Sequence, residues 1–112
     1  MEDINDFEMT SSRGPIKFRV MHLENGLVVF ISGGSGFRPG PTVVSIPASQ
    51  YRSSPTSTGL LGSEPDSIMV RIMAERIAAW TNRACMVVAT VNDLDRELTM
   101  EILNALRDHL LT

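Results

Sequence analysis

Hydrophobic and polar positions alternate in IKFRVMHL, residues 16–23: Ile16, Phe18, Val20 and His22 fall on one side of an extended chain, and Lys17, Arg19, Met21 and Leu23 on the other. Such a period of two predicts a half-buried strand. Asn25-Gly26 follows, a pair that tolerates the positive φ angles of a type I′ turn, and predicts antiparallel pairing with LVVFIS, residues 27–32. SGGSGFRPGP, residues 32–41, reads as a connector, and TVVSI, residues 42–46, as a third strand stopped by Pro47. The Ser- and Thr-rich stretch 48–62 has no clear period. Beyond it Met69, Ile72, Met73, Ile77 and Trp80 recur at helical spacing, behind a start in which Ser63 can cap and Pro65 occupies the first turn. ACMVVATV, residues 84–91, predicts another strand. Asp93 or Asp95 can then cap a last helix with Leu98, Ile102, Ala105, Leu106 and Leu110 on one face.

The order strand, strand, strand, helix, strand, helix is an α+β layout with a mainly antiparallel sheet. Residues 27–31 and 84–89 are apolar at successive positions, as in strands covered on both faces. Two helices of about four turns, each about 10–12 Å wide, cover roughly one face of a sheet. The other face therefore needs a second sheet from the remaining strands, giving a sandwich, or a second subunit. Residues 1–15 are polar and acidic and end in SSRGP; they are expected to form a flexible tail, with an edge strand over Asp6–Met9 as the alternative, ahead of a single domain over 16–112.

Charge adds one feature. The net charge of −3 divides into −3 over residues 1–15, +3 over 16–62 and −3 over 63–112. Lys17 is the only lysine, and arginine is the commoner basic residue of protein interfaces. Net negative charge and 5% aromatic residues argue against a nucleic-acid surface. No apolar run approaches the roughly 20 residues of a membrane span, and the acidic start lacks the pattern of a signal peptide, so a cytoplasmic or nuclear location is expected and a membrane partner is not. Cys85, the single cysteine, sits in an apolar run and is expected in the core.

No catalytic constellation emerges. The Gly-rich stretch 32–40 lacks the Lys-Ser or Lys-Thr end of a phosphate loop and runs into a strand; it also fails as a nucleophile elbow, because Phe37 stands where the last glycine is needed. His22 and His109 stand far apart in the chain, and Asp93, Asp95, Glu97 and Glu101 suit the first turns of a helix better than a cation site. Neither a metal nor any other cofactor is expected.

One combination of segments is distinctive. FRVMHL at 18–23, the apolar strand after its turn, SQYRSSPTSTGLLG at 49–62, a helix ending Trp80-Thr81-Asn82-Arg83 and a following strand together resemble the proteasome assembly chaperone 4 family. The likeness covers about residues 16–95 and is carried by Phe18, Val20, Met21 and Leu23; Tyr51, Ser57, Leu60, Leu61 and Gly62; and Thr81, Asn82 and Arg83. The Gly-rich 33–41 segment and the acidic start depart from the pattern. The resemblance implies a small antiparallel, β-sandwich-like unit of about six strands with two flanking helices. It implies no enzyme activity and no cofactor. It further implies a role in assembling the α-ring of the 20S proteasome, as half of a heterodimer with proteasome assembly chaperone 3 that holds an α-type subunit, notably α5. A homodimer is the alternative when that partner is missing. Tyr51, Arg52, Leu60 and Leu61 are the expected contact residues. The competing readings are a general protein-interaction adaptor and a small phosphate- or ligand-binding domain using the 32–40 loop.

Overall fold

The computed structural model describes residues 3–48, 56–61 and 64–111, with the side chains of 56, 60, 61 and 64–67 excepted. The elements are β1 (Ile4–Ser11), β2 (Gly14–Leu23), β3 (Gly26–Ser32), β4 (Thr42–Ile46), β5 (Thr56–Leu61), α1 (Glu64–Thr81), β6 (Ala84–Thr90) and α2 (Arg96–Leu110). All six strands join one sheet in the order β1-β2-β3-β6-β4-β5. Every neighbouring pair is antiparallel except β3–β6, so the α+β fold and its six strands agree with expectation while the sheet is mixed.

Both helices lie against the same face. There Phe18, Val20, Val29, Val43 and Val87 are buried with Val70, Met73, Ile77, Ile102 and Leu106. Ala74 and Ala78 are fully buried in α1, where their small side chains let the helix sit close to the sheet, and Met69, Ile72 and Trp80 fall to the flank of the predicted stripe. Phe7 of β1 stacks between Phe18 and His109 of α2, with ring centroids 4.6 and 4.0 Å away. Cys85 belongs to this core, and burial pushes its thiol up to about 12.

Residues 4–11 are strand rather than tail. Asn5, Phe7 and Met9 alternate with Asp6 and Glu8, and the acids stand opposite Arg19 and Lys17 of β2, so a stretch that looks solvated by composition is paired by cross-strand charge. The β2–β3 hairpin forms where predicted, but through Glu24-Asn25 with neither residue at positive φ, so it is not a type I′ turn. Gly26 is needed for another reason: a Cβ there would lie 2.4 Å from the carbonyl oxygen of Ala84 in β6. Asn82, at φ 55°, turns the chain out of α1 in the left-handed conformation common at helix ends. Arg83 then reaches back to the hairpin tip, donating from Nη2 to the carbonyls of Leu23 (2.6 Å) and Gly26 (2.8 Å). Asp95 caps α2 by accepting from the Leu98 amide at 2.9 Å; the Ser63 cap of α1 lies outside the described residues.

Candidate protein-docking face

The register of the strands sets which side chains share the second face. One row runs Asp6, Arg19, Phe30, Val88, Thr42 across β1, β2, β3, β6 and β4. The next runs Ile4, Met21, Val28, Met86, Val44, Thr58 and crosses all six strands. Neither α1 nor α2 covers them, and among the described residues there is no second sheet. The sandwich within one chain is thus not what screens this face. Met21, Val28, Phe30, Val44 and Met86 are only half-buried, and among the described side chains the large apolar ones left exposed on strands, Ile4 (50%), Leu23 (44%) and Ile46 (48%), all belong to this side. A contiguous apolar patch of this kind on a folded chain marks a binding surface.

The patch has a charged corner. Arg19 donates from Nε and Nη2 to the two carboxylate oxygens of Asp6, each at 2.8 Å, a bidentate pair that holds the Asp6 carboxyl below its ordinary range. The Arg19 guanidinium also lies 4.9 Å from the centre of the Phe37 ring, and Phe37 meets Phe30 at 6.0 Å. Phe37 belongs to the segment 33–41, which crosses part of the face and bounds a groove of about 480 Å³ over Met21, Phe30, Met86 and Val88. Inside the segment the Gly34 amide donates to Ser32 Oγ at 3.0 Å, and that hydroxyl donates to Gly36 O at 2.7 Å. An amide that an anion would require is therefore engaged internally, and the segment connects two strands with no helix behind it.

Other charged groups tie elements of the fold together. The turn between β1 and β2 is fastened to the start of α2: Ser12 donates from its amide (2.9 Å) and hydroxyl (2.6 Å) to the Glu101 carboxylate, while Arg13 pairs with Asp95 and donates to Asp93 O at 2.8 Å. The Leu98 amide and then Arg13 lower Asp95, and the Ser12 hydroxyl and then its amide lower Glu101. On α1, Arg71 and Glu75 bind Ser57 of β5. Among the described residues no cluster of metal-ligating side chains occurs, and no helix is long and apolar enough to cross a membrane.

Of the contact residues expected from the sequence, Tyr51 and Arg52 lie outside the described residues. Leu60 and Leu61 end the edge strand β5, not a loop. Their side chains are outside the description, but Leu60 is the extra residue of a bulge, since Thr42 pairs with Leu61 and Val43 with Gly59. Among the described side chains, the face is made above all by Met21, Phe30, Met86 and Val88. Their signal in the sequence is the doubly apolar character of 27–31 and 84–89.

No protein-family model matches the sequence, and no curated protein is significantly similar to it. The fold has a solved counterpart. A chain in the crystal structure of a chaperone complex for yeast 20S proteasome assembly superimposes with a TM-score of 0.68 at 20% identity, over 97% of this chain and 96% of that one. Agreement over nearly the whole of both chains establishes a shared fold.

Proposed function

We propose that this protein is a non-enzymatic chaperone for assembly of the 20S proteasome α-ring, working as half of a heterodimer with proteasome assembly chaperone 3 and holding an α-type subunit, α5. The observation that carries the reading is the uncovered apolar sheet face on a fold shared with a chain of a proteasome-assembly chaperone complex. Six strands at about 4.8 Å spacing and about 3.3 Å per residue present on the order of 500–700 Å² of plane. That is close to the roughly 800 Å² that one partner contributes to a standard interface. A second sheet laid on this face would give the screening that the apolar strands require, with the partner chaperone supplying it.

Such a protein acts by mass action. Bound to an assembly intermediate, it stabilises that species and occupies a surface where a wrong neighbour would dock. The groups with displaced titration are a core thiol and partners in a cap, ion pairs and a turn-to-helix hydrogen bond, which favours a binding role over catalysis. A cytoplasmic or nuclear location belongs to the same reading. The test is co-expression with proteasome assembly chaperone 3 and individual α-type subunits, followed by size exclusion with light scattering. A 1:1 chaperone pair that retains α5 is expected; failure to recover either protein at micromolar concentration would sink the reading and leave the face to an unrelated partner, as for a general adaptor.

A further inference from the structure

We propose, on the reading of this face as the docking surface, that Phe37 is an internal plug that competes with the partner. The segment 33–41 is anchored at its two ends: the Gly33 amide donates to Thr90 O at 3.2 Å, and the Ala89 amide donates to Pro41 O at 3.0 Å. The second anchor is tight, since a Cβ on Gly40 would lie 2.4 Å from Thr90 Cγ2. Gly33 to Gly36, Arg38 and Pro39 are exposed, Gly40 and Pro41 are half-buried at the second anchor, and in the middle of the span Phe37 is half-buried, leaning on Phe30 and on the Arg19 guanidinium. Lys17 Nζ adds one long bond to Ser35 O at 3.3 Å. Four glycines in nine residues leave the span few side-chain restraints.

Packed sheets stand about 10 Å apart, room for one interdigitated layer from each. At the centre of this face that space already holds Phe30 with Phe37 upon it. A partner sheet can lie flat on Phe30 and fill the neighbouring groove over Val88 and Met86 only when Phe37 withdraws from Phe30, and the partner then presents a large apolar side chain in its place, beside Arg19. Binding is weakened by the closed fraction, because the apparent Kd equals the intrinsic value divided by the open population.

The experiment compares wild type, Phe37→Ala, Phe37→Leu and Phe30→Asp. With the isolated protein, the dye 1-anilinonaphthalene-8-sulfonate should brighten at least threefold on Phe37→Ala, less on Phe37→Leu, with a cooperative melt retained in both. With purified proteasome assembly chaperone 3 as the probe, Phe37→Ala should bind about three- to tenfold more tightly, chiefly through a faster on-rate. Unchanged dye fluorescence overturns the plug, and so does weaker binding by Phe37→Ala, which would make the ring part of the interface. If Phe30→Asp binds as well as wild type, the docking reading fails and the competition fails with it, whereas the dye response still reports whether Phe37 shields the face.

Discussion

The two faces of the sheet come from the same six strands and differ in what lies on them. On one side Val87, Val29 and Val20 are sealed under α1 and α2; one residue away in register, Met86, Val28 and Met21 stand half-open with a single loop across part of them. The first side has its whole partner within the chain. The second side has apolar half-buried side chains and only a fraction of the cover, the condition on which the proposed docking rests. Adjacent residues therefore sit in different surroundings, one sealed by helices and one half-open.

Adjacent positions provide the strongest way to break that contrast. Val87→Asp buries an unpaired carboxylate under the helices and should abolish cooperative folding, a loss beyond about 4 kcal/mol by circular dichroism in urea. Met86→Asp should leave a folded protein that no longer co-purifies with its partner; if both variants unfold, the second face is core and the proposed function is wrong. Truncations probe the same divide with smaller effects. Phe18→Ala, in the sealed face, should cost about 3–5 kcal/mol in urea denaturation, and Phe30→Ala about 1 kcal/mol, since its ring is already partly in water. Arg83→Ala should lower stability by about 1 kcal/mol through the hairpin carbonyls it leaves unbonded, without altering the dye response of the open face.

The smallest effect is a pH dependence. Asp6, Asp95 and Glu101 are all held below their ordinary range. Groups depressed on folding add stability that is complete above their unfolded values and disappears as pH falls through the folded ones. Melting temperature should thus decline below the ordinary carboxylate range, and Glu101→Gln or Asp95→Asn should flatten the decline. Exposure and salt screening keep each contribution modest. Since Asp95 and Glu101 fasten α2 to the β1–β2 turn, the effect belongs to the sealed face, and Asp6→Asn should act separately by loosening Arg19 beneath Phe37.

Much of the architecture was legible in the chain because it is locally encoded. The alternation of 16–23, the helical stripes and the Asp95 cap each follow from the nearest few residues. β1 shows in the sequence only as the alternative edge strand over Asp6–Met9, because its outward acids make sense only opposite Lys17 and Arg19, and β5 is hidden because TSTGLL offers little period for a strand to show. The parallel β3–β6 contact is set by the path of the whole chain, which no short pattern reveals. Ser57, Asn82 and Arg83, prominent in the family resemblance, prove to tie β5 to α1, turn the helix end and lock a hairpin. The open face was foreshadowed by apolar runs on 27–31 and 84–89. That Phe37 would settle on it was not, because a glycine-rich span carries no periodic signal.

The position of β6 has a consequence for how the protein is made. It is the fourth strand across the sheet but the last in the chain, and it joins the β1–β3 meander to the β4–β5 hairpin. Until residues 84–90 leave the ribosome, those two units share no strand pairing, and the edges of β3 and β4 are open to pairing with another strand. The chain thus passes through synthesis with its central seam unclosed, and the last strand to emerge is the one that closes it.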